Sequence, residues 1–195
     1  MTLGKWAHLG HRLGECWRDD GRDLTYVHVP KNASSFVKGV LIGARGHWHH
    51  SETLVNGQEN LVVLRDPIDR WCSGIVQYQH NTGINLHLQE TFETVTFDDH
   101  TELQTYFLQG VDLDRTTFMM IDSGFRERIQ RWMDAHGYVR DVGMALQYNA
   151  SSDDHRGERK DYYTRLVRTC SGLAYRLREH FADDYKLIES VKFYD

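Results

Sequence analysis

The sequence predicts an α/β protein built around a mostly parallel β-sheet. Short apolar segments typical of buried strands alternate along the chain with longer segments of helical period. The chain has two prolines, Pro30 and Pro67, and each follows a strand candidate and opens a turn that leads into a helix. A length of 195 residues suits one domain with one core, so we expect a single domain spanning 1–195.

The first half of the chain contains two predicted strands, each followed by a turn and a helix. Residues 24–29 are a strand candidate, and residues 61–64 are a short apolar strand of the buried type. Helices are expected at 36–44 and from Pro67 to about residue 80. Asp66 is a suitable N-cap for the second helix, and proline is favoured at the first helical position.

The second half continues the alternation after a long segment without clear periodicity. A loop of that length inside a domain is often a functional lid. Gly137 is a plausible residue to end the helix expected at 123–136. The expected elements are a loop at 81–99, a short helix at 100–109, a strand at 117–121, a helix at 123–136, a polar loop at 147–160 and an amphipathic helix at 162–181.

Composition and charge argue against several classes of function. Hydrophobic residues make up 40% of the chain and charged residues 26%, as in ordinary globular proteins. The net charge of −5 argues against a nucleic-acid-binding protein. Because no run of about 18 apolar residues occurs, we expect no membrane span. Any anion site must therefore be built locally, from a few cations and backbone N–H groups.

The cysteines and residues 1–23 indicate the cellular compartment in which we expect the protein. Residues 1–23 lack the apolar stretch of a secretory signal, so no signal peptide is expected. The three cysteines are widely spaced and odd in number, which favours reduced thiols and a cytoplasmic location. Cys72 falls in a predicted helix and is expected to be a small core residue rather than a nucleophile.

The turn after the first strand has the composition of an anion site. The chain there reads Pro30-Lys-Asn-Ala-Ser-Ser-Phe36. Its small residues allow a ligand to approach the backbone, and the helix that follows would point N–H groups at an anion. Lys31 adds a positive charge. The alternative is a capped turn with a surface lysine, and the glycine pattern of a P-loop kinase is absent.

The turn after the second strand carries a second set of candidates. Arg65 stands at the strand end, where a guanidinium can bind a phosphate in a forked geometry. Arg70 and Ser73 are three residues apart on the next helix and so share a face. The alternative interpretation makes Asp66 a helix cap and Arg70 a partner in a surface ion pair.

Histidine is abundant, with 12 in the chain, so position matters more than residue type. His100 follows the long loop, and a histidine at the mouth of a sheet can act as a general base toward a hydroxyl. The tract His47-Trp-His-His50 is consistent with a metal site, but we favour a loop. Asp122, at the end of the third strand, is expected to cap the next helix.

Both turns together resemble the cofactor-binding motifs of the sulfotransferases that use 3′-phosphoadenosine 5′-phosphosulfate (PAPS). They are most similar to the carbohydrate branch of Golgi-type, heparan, chondroitin and HNK-like enzymes. The first turn resembles the loop that binds the 5′-phosphosulfate, and RDPxxRxxSxxxxY from Arg65 to Tyr78 resembles the 3′-phosphate motif. The resemblance implies a three-layer, P-loop-NTPase-like sulfotransferase fold. It assigns cofactor binding to Pro30, Lys31, Asn32, Ala33, Ser34, Ser35, Phe36, Arg65, Arg70 and Ser73.

Weaker similarities extend the resemblance over residues 24 to 188. His100 and Gln104 match an "HxxxQ" segment whose histidine lies near the acceptor, although Leu103 replaces the expected proline. Residues 147–152 resemble a segment that precedes a loop covering the cofactor. In that loop, Arg156 would reach the nucleotide.

The sequence therefore predicts an enzyme that transfers a sulfuryl group from PAPS to a sugar or small-molecule hydroxyl and releases 3′-phosphoadenosine 5′-phosphate (PAP). Lys31 and His100 are the expected catalytic residues, and no metal is expected. The alternatives are a non-catalytic protein that binds phosphoadenosine nucleotides and a nucleotide-dependent phosphotransferase. The sequence gives no information on oligomeric state.

Overall fold

A computed structural model describes residues 15–43, 48–52, 54, 57–86, 93–139 and 154–195. The chain divides into two compact units. The sheet unit comprises His11–Arg65, Tyr106–Ala150 and Val191–Asp195, and the helical unit comprises Met1–Gly10, Asp66–Thr105 and Ser151–Ser190. Whether these units act as the single domain expected from the sequence stays a prediction.

The sheet unit contains five strands in the order β3-β1-β2-β4-β5. The pairs β2–β4 and β4–β5 are parallel, whereas β1 pairs antiparallel with both β2 and β3. The predicted α/β class is confirmed, but the sheet is mixed and not mostly parallel, because two of the four strand pairings in the described residues are antiparallel. Its parallel part consists of the three predicted strands. The strand bounds are β1 Cys16–Asp19, β2 Leu24–Val27, β3 Trp48–Ser51, β4 Glu59–Leu64 and β5 Thr116–Met120.

The histidine tract forms a strand, so the loop expected there is wrong for residues 48–50. Strand β3 pairs with β1 at the edge of the sheet, with His50 opposite Trp17. Trp48 is buried while His49 and His50 are exposed. Backbone pairing with β1 fixes the strand even though two of its side chains are polar. The first histidine of the tract, His47, lies outside the described residues.

Helices α1 (Ser34–Gly43) and α4 (Phe125–Ala135) complete the sheet unit, and their apolar side chains share one core with the strands. The helix expected at 123–136 is confirmed as α4, and its apolar residues are buried, as the helical period requires. Gly137 has a φ of 71° just beyond α4, as expected of the residue that ends a helix. The buried residues of α4 are Phe125, Ile129, Trp132 and Met133.

The helical unit is built on α2 (Pro67–Thr82), which begins as predicted. The Asp66 side chain accepts a hydrogen bond from the Asp69 N–H at 2.8 Å, and Pro67 occupies the first turn. Trp71 and Ile75 of α2 are fully buried in a second apolar core. The Trp71 indole donates to the Val95 carbonyl at 2.8 Å, which ties the segment before the His100 turn to the helix.

Three further helices belong to this unit, and they correct two predictions. Helix α5 (Asp154–Thr169) begins inside the segment expected to be a loop, and the helix expected at 162–181 is divided between α5 and α6 (Ser171–His180). Cys170 separates them in an extended conformation, with φ −105° and ψ 94°. Leu173 and Leu177 of α6 reach the core after this break. Helix α7 spans Ala182–Ser190.

The short helix α3 (Gln104–Phe107) is the regular part of the segment 100–109. It begins late because residues 98–101 form a turn. Asp184 is fully buried and accepts hydrogen bonds from the N–H groups of Gln104 and Thr105, both at 2.9 Å. Gln104 is thus a buried structural residue at the start of α3. None of the helices in the described part of the chain has the length and apolar character that a membrane crossing requires.

Candidate functional site

The two predicted cofactor turns leave the sheet at the same edge. Strands β2 and β4 are adjacent and parallel, so their carboxyl ends lie side by side. Arg65, which follows β4, donates a hydrogen bond from Nη1 to the Lys31 carbonyl at 3.1 Å. The structure therefore brings together two of the residues that the sequence selects, Lys31 and Arg65.

The loop after β2 has an uncommon backbone conformation. Lys31 and Ala33 have φ angles of 67° and 53°, in the left-handed region that non-glycine residues rarely adopt. Each such residue costs on the order of 1–3 kcal/mol, and residues of this kind concentrate at functional sites. Left-handed residues within a turn also point successive N–H groups to one side, which forms a concave anion-binding surface. This conformation favours the anion-site interpretation over a simple capped turn.

Some side chains of this loop are buried and fix it to the sheet unit, whereas others are accessible to solvent. Asn32 is fully buried, and its amide donates to the Val63 carbonyl at 2.8 Å, so it fastens the loop to β4. Phe36 is buried against Phe125, with ring centroids 6.0 Å apart. Lys31 is half-buried and Ser35 is exposed. The remaining loop residues are Pro30, which is buried, and Ala33 and Ser34, which are half-buried.

Arg70 supports a turn in the helical unit. Its side chain is fully buried, so the alternative of a surface ion pair is wrong. The guanidinium donates to the carbonyls of Glu102 and, at 3.3 Å, of Asp99. Burial lowers the pKa of Arg70 to about 10 despite the nearby carboxylates, so it remains charged at neutral pH. Ser73, one turn along α2, is half-buried and donates to the Asp69 carbonyl at 3.2 Å.

The turn that Arg70 supports carries His100, held by two buried carboxylates. His100 Nδ1 lies 2.9 Å from Asp98 Oδ2 and 3.0 Å from Asp99 Oδ1. The Asp98 side chain also accepts from the His100 N–H at 3.0 Å. The Thr101 hydroxyl accepts from the Phe97 N–H at 2.8 Å, which closes the turn. The imidazole is therefore fixed in orientation.

This environment sets the protonation of His100. Burial alone would lower its pKa, but the hydrogen bonds to Asp98 and Asp99 outweigh burial, and the pKa lies above the ordinary value. With Nδ1 held by carboxylates, proton exchange with a substrate falls to Nε2. The positioning roles of Asp98 and Asp99 were missed from sequence, although both residues directly precede His100.

The same three residues are also arranged as a cation could use them. One ligand atom each from Asp98, Asp99 and His100 lies within 4.8 Å of the others. Within the described ranges, His49 and His50 belong to no group of this kind. A bound divalent cation would compete with the use of His100 as a base, because both need its imidazole.

Gly74 allows α2 to approach this turn at backbone distance. A Cβ added there would lie 2.7 Å from the carbonyl carbon of His100 and would overlap its oxygen. We expect Gly74→Ala to lower the free energy of unfolding by about 1–3 kcal/mol, the usual cost of overpacking a rigid contact. Urea denaturation measures this as a lower midpoint.

Gly157 provides the matched control for that substitution. It lies in α5, and a Cβ there would meet nothing within 4 Å. Gly157→Ala should therefore raise the free energy of unfolding by about 0.5–1 kcal/mol through helix propensity. An unchanged midpoint for Gly74→Ala would show that the contact with the His100 turn is not rigid.

Arg156 and Asp122, which the sequence also selects, lie in different parts of the structure. Arg156 lies on α5, and its Nη2 is 2.7 Å from His80 Nε2. The segment from Gln147 to Ser152 lies outside the described residues. Asp122 accepts from the Gly124 N–H at 2.8 Å, so it orders the turn before α4 rather than capping the helix through its first residues.

Comparison of the chain with protein-family models, with curated proteins and with solved structures found no match. The function is therefore argued from the residues themselves. The strained loop with Lys31 and the His100 turn with its two carboxylates are the described features with the clearest chemistry.

Proposed function

We propose that this protein is a sulfotransferase that moves a sulfuryl group from PAPS to a hydroxyl-bearing acceptor. The observation that carries the proposal is the loop after β2, where Lys31 and Ala33 are left-handed. The Arg65 side chain donates to the Lys31 carbonyl of this loop at 3.1 Å, so two cationic residues belong to one strand edge. A charged, strained loop at the carboxyl edge of parallel strands is suited to a phosphate or sulfate. The motif resemblance specifies which nucleotide.

The cofactor would be held by cations and by backbone N–H groups. Lys31 and the N–H groups of its loop would contact the 5′-phosphosulfate, with Ser34 and Ser35 as further donors. Arg65 and Ser73 are assigned to the 3′-phosphate. Asn32 and Phe36 would act through the loop that they fix, because both side chains are buried in the sheet unit.

The reaction would be a direct in-line transfer. The acceptor oxygen forms a bond to sulfur while the bond between sulfur and the bridging phosphate oxygen breaks, and the electron pair stays on PAP. His100 Nε2 accepts the acceptor's proton, and Asp98 and Asp99 stabilise the imidazolium that results. Lys31 stabilises the charge on the departing phosphate. We propose a sugar or small-molecule alcohol as the acceptor.

Nucleotide selectivity tests the cofactor assignment. We expect PAP to bind much more tightly than ADP, because ADP lacks the 3′-phosphate. Arg65→Ala should remove a charge-assisted contact of about 1.5–3 kcal/mol, which is about 10- to 150-fold in affinity for PAP. Isothermal titration calorimetry with both nucleotides measures the preference.

The ADP titration also separates two roles of Arg65. If Arg65 binds the 3′-phosphate, Arg65→Ala lowers the affinity for PAP far more than the affinity for ADP. An equal loss of both affinities would mean that Arg65 acts through its hydrogen bond to the Lys31 carbonyl. Arg126→Ala, on an exposed position of α4, is the control and should change neither affinity. Equal affinity of the unmodified protein for PAP and ADP would contradict the 3′-phosphate assignment.

A further inference from the structure

The helical unit contains a cavity of about 470 Å³ that the proposed reaction does not use. It lies against the first turns of α2 and against α5, α6 and α7. Its volume is within the usual range for small-molecule sites, about 300–1,000 Å³. None of the residues assigned to PAPS lines it. Apolar side chains form part of the wall, namely Ile68, Cys72, Val167 and Ala174.

Two arginines that form no salt bridge in the described residues contribute positive charge to the wall of this cavity. Arg168 and Arg178 line it and are exposed, and neither forms a salt bridge with any carboxylate in the described part of the chain. The two carboxylates that also line the cavity are engaged elsewhere. Asp69 pairs with Lys160 at 3.0 Å, and Asp66 caps α2.

Tyr185, which also lines the cavity, carries no charge at neutral pH. Burial and the nearby Asp66 carboxylate raise the pKa of Tyr185 to about 12, so its hydroxyl stays protonated. The Asp66 side chain accepts the Asp69 N–H at 2.8 Å. Guanidinium groups such as those of the two arginines that line the cavity bind carboxylate, sulfate and phosphate in a forked geometry.

We propose that this cavity binds a small organic anion: one acidic group held by Arg168 and Arg178, with an apolar body against Cys72, Val167 and Ala174. The cavity volume is sufficient for a one- or two-ring acid. Because none of the residues assigned to PAPS lines the cavity, the site is a second one, separate from the proposed nucleotide site.

Naphthalene-2-sulfonate is a suitable probe, because it combines one anionic group with a two-ring apolar body. Its affinity for the full chain is measured by calorimetry with and without PAP. We expect the pair Arg168→Gln and Arg178→Gln to weaken binding by at least about tenfold. The pair Arg165→Gln and Arg176→Gln removes the same charge from the same helices outside the cavity and should leave affinity within about twofold.

Two further titrations test the apolar wall and the acidic group. Ala174→Phe should fill the cavity and abolish binding without changing charge. The uncharged analogue 2-naphthylmethanol should bind at least about tenfold more weakly than the sulfonate. Circular dichroism spectra of all variants establish that the helices are intact.

The outcomes are distinct from those that bear on the proposed function. Equal weakening by both arginine pairs would overturn the site, since only overall charge would then matter. Displacement of the probe by PAP would also overturn it, because the probe would then occupy the nucleotide site. Probe binding that persists in the presence of PAP and is lost only in the cavity variants supports the site, whether or not the chain transfers sulfate.

Discussion

Replacing His100 with alanine is expected to lower turnover by about 10²- to 10⁴-fold, the usual contribution of a general base. Nucleotide affinity should hardly change, because His100 is assigned to the acceptor's proton and not to PAPS. The expectation rests on the fixed imidazole, whose Nδ1 lies 2.9 Å from Asp98 and 3.0 Å from Asp99. Initial rates with an accepted hydroxyl substrate, together with calorimetry of PAP, measure both quantities.

His49→Ala is the comparison that keeps this prediction specific. His49 is exposed on the edge strand β3. If His100 is not the base, the histidines at 47, 49 and 50 and the neighbouring Asp99 are the next candidates. Normal turnover for His49→Ala, with severe loss for His100→Ala, supports the assignment. Near-normal turnover for His100→Ala would mean that another group accepts the proton.

Replacing Lys31 with alanine is expected to lower turnover by about 10²- to 10³-fold and to lower the affinity for PAP only modestly. The lysine would meet charge that grows as the phosphate departs, so most of its effect belongs to the transition state. Alanine adopts the left-handed conformation about as poorly as lysine, so this substitution should not change the backbone strain. Single-turnover rates and PAP titrations separate the two effects.

Lys31→Gly tests whether the backbone or the amine matters. Glycine tolerates the φ of 67° without strain, so this variant should be more stable than Lys31→Ala yet equally slow. Lys38→Ala, which removes a lysine of α1 close to the Trp17 ring, should keep normal turnover. Recovery of turnover in Lys31→Gly would show that loop conformation, and not the positive charge, determines the rate.

The parallel strands and α2 were predictable because local sequence determines them strongly. Residues 61–64 form a run of apolar residues that suits only a buried position. Asp66 and Pro67 fix the start of α2 through local backbone chemistry. The first turn was also found, since its composition and place after a strand are visible without tertiary contacts.

Other features depend on partners that are distant in sequence. Strand β3 is held by pairing with β1, and its polar residues give no strand pattern. Lysine and alanine rarely adopt a left-handed φ, so the backbone strain at Lys31 and Ala33 could not be predicted from the sequence. Arg70 has the sequence context of a surface residue, but it is fully buried and contacts the carbonyls of Asp99 and Glu102, which lie about 30 residues away in sequence.

The most direct test of the central claim is transfer of radiolabelled sulfate from PAPS to pooled sugar and small-molecule alcohols, with EDTA present. The account predicts labelled acceptor together with release of PAP, at a rate that EDTA leaves unchanged. Nucleotide binding without transfer to any acceptor pool would contradict catalysis and favour a non-catalytic nucleotide-binding protein. Transfer that EDTA abolishes and a divalent cation restores would contradict the metal-free mechanism, and Asp98, Asp99 and His100 would then be the first described residues to test as metal ligands.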